Sequence, residues 1–300
     1  LGHGRDLFGP VVKRGDDVGE LLFDDAAAHL AGAGHLTVIG IQFPVAIAIG
    51  YFFGRWLDKH LGTDPWLTII FALFGIAAGF VNLFRITAQA SRAEEQLAAI
   101  GRARLDLLLR HGTTTVECKS GYGLDEANEL KQLRVYRDLD ATHTVDLVPT
   151  FLGAHVVPPE FRDDRSGYVD LLCERLIPRI AAEGLAEFCD AFVEQGAYTA
   201  AEARRILSAA RAHGLGVKLH ADQLSDGGGA SLAAGFDAVS ADHLEYVSDD
   251  GVAALAGSGT VAVSLPLASL YLGERYLPAR RMRPAAVRRR RPYPARSCRA

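Results

Sequence analysis

The sequence predicts an α/β chain: an incomplete TIM-type (β/α) barrel of about six βα units, preceded by a two-helix transmembrane hairpin. Three observations predict it. Two charge-free apolar runs stand near the N-terminus, short β-branched runs alternate with amphipathic segments from about residue 90, and histidines gather where those runs end.

Composition sets the outer limits. Three hundred residues with 49% hydrophobic content can bury a large core, which excludes disorder of the whole chain. The net charge of −4 conceals an asymmetry: residues 280–300 hold nine arginines and no acid, leaving the rest at −13. Cys118, Cys173, Cys189 and Cys298 form no CxxC pair and suit a reducing compartment. The chain begins at Leu1 and its one methionine is Met282, which reads as a fragment or a translated contig end.

Taken in order, residues 1–34 offer only Asp16, Asp17, Asp24 and Asp25 among small residues and receive no chemistry. Residues 36–54 and 66–84, within a hairpin at 35–86, are each nineteen residues without a charge. As helices they would each span roughly 28 Å, close to the thickness of a bilayer core. Trp56 and Trp66 flank the polar connector, where an aromatic belt would lie, and each run carries a GxxxG, Gly50 to Gly54 and Gly75 to Gly79. The competing reading is a pair of buried helices in a soluble protein. Arg55 and Lys59 compete with Arg85 and Arg92, so the orientation stays open.

The barrel region is placed at 90–279, with strands expected at 113–119, 145–152, 187–193, 216–220, 236–241 and 260–265. Between the third and fourth, Thr199 and Glu202 form a capping box and Gly214 closes the helix. His155, His220 and His243 fall at or just beyond strand C-termini, as does "KSGYG". Polar groups gathered there from several strands favour a barrel over a doubly wound sheet, and no GxGxxG supports a dinucleotide site. Taken alone, His220 could equally be a buried, hydrogen-bonded histidine.

Two resemblances follow from longer motifs. "GRWLDKHLGTDPW" and its flanks resemble the small accessory membrane protein encoded with F-type ATP synthases, ATP synthase protein I, over residues 36–85. "TTTVECKSGYGLDEANELKQLRV", "VPTFLGAHVVPPEF", "GVKLHADQLSDGGGASLAA" and "SADHLEY" resemble imidazolonepropionase, of the amidohydrolase superfamily, over about residues 90–280. The second resemblance implies hydrolysis of 4-imidazolone-5-propanoate to N-formimidoyl-glutamate in histidine degradation, with one Zn or Fe ion. It implies His220 as a metal ligand, His243 and Gln223 as catalytic residues, and Tyr122, His155 and Gln223 as substrate-binding residues, with Asp242 orienting His243.

Departures from that family bear on activity. The family's HxH pair has no counterpart in this sequence, and no aspartate follows in the arginine-rich residues 280–300. Three of the four ligands are therefore missing, and impaired hydrolysis is expected. The barrel would be an arc with open edges, through which copies could associate. The tail reads as disordered and without a nucleic-acid role. The remaining alternatives are a membrane accessory protein of ATP synthase, or a chimera of two genes without selected function. The partners expected are a small-molecule substrate and, if the hairpin inserts, a membrane. The barrel region reads as cytoplasmic.

Overall fold

The computed structural model describes residues 35–282, with the side chains of 35–43, 82–84, 86, 87 and 90 outside that description. The predicted N-terminal segment 1–34 and residues 283–300 of the predicted tail lie outside it too. The chain divides into two compact units that part between Gly112 and Thr113.

The first unit is a helical hairpin of α1 (His35–Leu61) and α2 (Trp66–Arg110). Small residues let its backbones touch. A Cβ on Gly50 would lie 2.2 Å from the Phe71 carbonyl oxygen, one on Gly54 2.5 Å from that of Leu67, and one on Gly75 2.5 Å from that of Ala46. Asp58, at the end of α1, closes the turn by capping the start of α2. Its carboxylate accepts from the backbone N–H groups of Leu67 (3.0 Å) and Thr68 (2.9 Å) and from the hydroxyls of Thr63 (2.8 Å) and Thr68 (2.6 Å). Burial alone would raise the Asp58 carboxyl, but these donors outweigh it and hold the pKa at about 2. Ile49, Phe52, Trp56, Trp66, Leu73, Phe74 and Val81 remain exposed.

Two expectations change here. The second helix does not stop near residue 84. It runs 45 residues to Arg110, because 85–110 is rich in Ala, Leu, Glu, Gln and Arg with no proline to break it. The boundary placed at 86–90 therefore lies inside a helix. The transmembrane reading is also reduced to a paired-helix hairpin: among the described residues no helix is long and apolar enough to cross a membrane. Parts of both predicted spans, 36–43 and 82–84, fall among the side chains that are not described.

The second unit is the predicted half-barrel. Six parallel strands follow one another in chain order: β1 (Thr115–Lys119), β2 (Asp146–Ala154), β3 (Phe188–Val193), β4 (Gly216–Ala221), β5 (Ser240–His243) and β6 (Val261–Val263). Among the described residues β1 and β6 each pair on one side only. Helices between the strands cover one face, where Leu133, Phe151, Ile177, Ile180, Ile206, Leu207, Leu219 and Ala233 are fully buried. Each large side chain of that kind stabilises the fold by about 1.5–3 kcal/mol.

Strand parity separates the two faces. In β4, Val217, Leu219 and Ala221 join the core, while Lys218 and His220 point to the opposite, inner face. Glu117 and Lys119 of β1 and Asp190 of β3 meet them there. The capping box of α3 (Ala200–Ala212) forms as expected, and Gly214 follows with φ +83°. Residues 236–239 differ: Phe236 ends the preceding helix and Asp237 turns at φ 45°, so β5 begins only at Ser240. Pro266 starts a helix and shortens β6. Of the tail expected from residue 280, the described part is helical: Ala279–Met282 forms a short turn of helix and Met282 is buried.

Candidate active site

The C-terminal ends of β1 to β5 converge on a cluster of rings and charges. His155 follows β2, and its Nδ1 lies 3.2 Å from the Gly121 carbonyl oxygen. Its ring stands 5.5 Å from Tyr122 and 6.2 Å from His220, and the His220 ring is 5.4 Å from that of His243. Phe192 packs against both His155 and His220. Four predicted site residues, Tyr122, His155, His220 and His243, thus form one continuous row.

His243 reaches this row through an unusual backbone. It pairs with Ala221, a core-facing residue, so parity alone would send it toward the helices. Positive φ at His243 (81°) and Leu244 (64°) breaks the strand there and re-aims the ring. Such conformations cost of order 1–3 kcal/mol each and persist where surrounding contacts hold them. Here Leu244 N–H donates to the Ala221 carbonyl (2.9 Å) and Tyr246 N–H to that of Asp222 (2.8 Å).

Gln223 sits half-buried in the loop after β4, between two anchored residues. Asp222, itself at φ 51°, accepts from the N–H groups of Gly227 (3.1 Å), Gly229 (2.9 Å) and Ala230 (2.9 Å). Glu194 accepts from Leu224 N–H (2.8 Å) and binds the Ser225 hydroxyl closely. Across the site, Glu129 gathers the N–H groups of Gly121 (3.0 Å), Gly123 (3.0 Å) and Leu124 (2.9 Å), which shapes the "KSGYG" loop behind Tyr122.

Beneath the rings lies a charge network that the sequence reading did not single out. Lys119 Nζ donates to Asp190 Oδ2 (2.7 Å) and Asp242 Oδ2 (2.9 Å), and Lys218 Nζ donates to Glu117 Oε2 (2.6 Å). His220 Nδ1 stands 3.1 Å from Asp190 Oδ2. The signal was available: Glu117, Lys119 and Asp190 are charges at inward parity within otherwise apolar strands. Asp242, expected to orient His243, instead binds Lys119, and Glu245 lies nearer to His243 at 3.7 Å.

Electrostatics follow from burial. Burial, reinforced by His220, pulls His155 down to about 4, and the same two causes pull His243 down to about 4. Both rings are neutral at pH 7 and can donate from one nitrogen and accept at the other. Burial opposes charge on Lys119 as well, but Asp190, Asp242 and Glu117 hold its pKa well above the ordinary lysine value.

The ligand set for a hydrolytic metal is not met. Among the described residues no group of three or more His, Cys, Asp or Glu is placed to hold an ion. His220 lies near the end of β4, and the carboxylates facing it bind an ammonium.

The chain is 55% identical over 206 residues to an imidazolonepropionase of Symbiobacterium thermophilum, 48% over 243 residues to one of Caulobacter vibrioides, and 52% over 198 residues to one of Geobacillus thermodenitrificans. These alignments cover 68%, 75% and 65% of this chain, but 48%, 60% and 47% of the respective relatives. The chain thus spans about half the length of the curated relatives it matches. Residues 33–86 match a family described as "Putative F0F1-ATPase subunit Ca2+/Mg2+ transporter". A solved dipeptide epimerase from Methylococcus capsulatus superposes with a TM-score of 0.22 at 15% identity, covering 56% of this chain and 51% of that one, too little to bear on the fold.

Proposed function

We propose that the half-barrel unit is the substrate-binding part of an imidazolonepropionase-type cyclic amidohydrolase, with hydrolysis impaired in this chain. The observation that carries the reading is the row Tyr122–His155–His220–His243 at the strand ends, in a chain about half identical to imidazolonepropionases. The substrate class is 4-imidazolone-5-propanoate, and the full reaction adds water across its ring amide to give N-formimidoyl-glutamate.

Each residue has a role its chemistry permits. Tyr122, exposed at the mouth, presents a phenol to the ligand, and neutral His155 offers one donor and one acceptor to a ring amide. Gln223 contributes an amide that reads both kinds of group. His243, also neutral, is the proton acceptor, and Glu245 beside it would stabilise the imidazolium once formed. His220 is the inherited metal-ligand position. Activation of water by Zn or Fe requires further ligands that these residues do not supply.

The test is equilibrium binding of 4-imidazolone-5-propanoate to the full chain, followed by its ultraviolet absorbance to detect turnover. Saturable binding weakened about tenfold or more by Tyr122→Ala and by His155→Ala is expected, with little or no turnover. Absence of saturable binding in the folded protein would overturn the reading.

A second reading attaches to the hairpin alone: an accessory role at an F-type ATP synthase membrane. The match over residues 33–86 and the large apolar side chains exposed along both helices favour it. Recovery of the full chain in carbonate-washed membranes supports this reading, and recovery only in the supernatant removes it.

A further inference from the structure

Beside the Lys119 network, the end of β5 gathers a second buried group. His243 is 7% exposed, Glu245 3% and Ser269 2%. They come from the last residue of β5, the turn after it and the helix Pro266–Leu272. The Ser269 hydroxyl donates to Glu245 Oε1 (2.7 Å), with the Leu265 carbonyl oxygen at 3.3 Å. The other carboxylate oxygen, Glu245 Oε2, stands 3.7 Å from His243 Nδ1. Both of these last two atoms are buried and have no hydrogen-bond partner. The turn that carries Glu245 is held on each side: Leu244 and Tyr246 N–H groups donate to the Ala221 and Asp222 carbonyls. It is also tied to the chain beyond the helix, because the Tyr246 hydroxyl donates to Glu274 Oε2 (2.7 Å) and Arg275 lies 3.6 Å over the Tyr246 ring.

We infer that Glu245, fixed by Ser269, sets the tautomer of His243: it keeps the ring proton on Nδ1 and leaves Nε2 as the nitrogen with a free lone pair. The chemistry of the two groups carries this. A carboxylate can only accept, and a neutral imidazole has one donor nitrogen and one acceptor nitrogen. With its lone pair on Nδ1 the ring would set one buried acceptor against another, each unsatisfied, which is costly. With the proton on Nδ1 the two atoms are complementary, and a short approach from 3.7 Å closes the bond, as catalytic hydrogen bonds tighten when a ligand binds. Asp242, the neighbour in sequence, has its Oδ2 engaged by the Lys119 ammonium. Glu245 and Ser269 are thus positioning residues that act through His243. The catalytic value of the free Nε2 rests on the hydrolase reading, whereas the tautomer belongs to the folded chain with or without a substrate.

Long-range proton–nitrogen NMR of the full chain, labelled with ¹⁵N in its histidine rings and held near neutral pH, tests it. His243→Gln identifies the signal by its disappearance. In the wild-type chain the His243 ring is expected to show a protonated Nδ1 and an unprotonated Nε2. Glu245→Leu, which removes the acceptor, should shift the proton to Nε2, and Ser269→Ala, which frees the carboxylate, should give a mixture of the two forms. A role in packing alone would move neither signal in variants that keep the wild-type circular dichroism. Should Glu245→Leu not fold, Glu245→Ala is read in the same way. A proton on Nε2 in the wild-type chain overturns the inference, and so does a folded Glu245 variant with an unchanged His243 ring. The Nδ1-protonated form in a wild-type chain that binds no 4-imidazolone-5-propanoate would uphold the tautomer and remove only the hydrolase reading.

Discussion

The hairpin and the half-barrel solve the same problem by opposite means. In the hairpin, backbones approach within a Cβ's width at Gly50, Gly54 and Gly75, and large apolar side chains point outward. In the half-barrel, large apolar side chains interlock between sheet and helices, while charges face each other across the inner face. Stability in the first region rests on what is absent at three positions. In the second it rests on what is present at many. The lesson is that apolar content alone does not tell which face of an element is buried.

Four measurements can break or sharpen this contrast. Both tryptophans, Trp56 and Trp66, lie in the hairpin, so their fluorescence reports that region while far-UV circular dichroism reports the whole chain. The largest effect is expected from Phe151→Ala, which removes a fully buried ring and should cost the half-barrel about 3–5 kcal/mol in urea denaturation. If the tryptophan transition moves equally, the two regions unfold as one and the contrast fails.

Acid separates them next. His155 and His243 have folded values lowered to about 4 from 6.5, so the unfolded chain binds more protons between these limits. Half-barrel stability should therefore fall as pH drops from 6.5 to 4. Asp58 behaves differently. Its carboxyl is lowered from 3.8 to about 2, so its contribution is intact above 3.8 and is lost as pH falls toward 2. Circular dichroism should change before tryptophan fluorescence during acidification, and the reverse order would refute the assignment.

Gly54→Val comes third. Its side chain would meet the Leu67 carbonyl and Thr68 Cα, at 2.5 and 2.6 Å from the first added carbon, and should destabilise the hairpin by about 1–3 kcal/mol. Only the fluorescence transition should shift. The smallest effect belongs to Arg205→Ala, which breaks an exposed ion pair with Asp170 and should leave both transitions essentially where they were.

Much of the site was legible from single residues. His155, His220 and His243 were placed at strand ends by the change from β-branched to polar residues, and the six strands fall close to where those runs lie. Lys119 and Asp190 were less visible because each looks, in its own strand, like an isolated charge. Only the parallel register brings β1, β3 and β5 to one level, and partners 71 and 123 residues apart in sequence become neighbours. His243 ends β5, and its route through two positive-φ residues has no marker in sequence.

By itself the sequence determined the alternation of strands and helices, the capping box at Thr199, the glycines of the hairpin and the residues that gather at the strand ends. These are local matters, set by periodicity, propensity and turn chemistry. Tertiary structure alone decided that α2 continues to Arg110, that β5 begins at Ser240, and that an ammonium holds the carboxylates facing His220. The reason is physical: where a charge goes depends on which other charges the register sets opposite it, and that pairing is written in no single stretch of the chain.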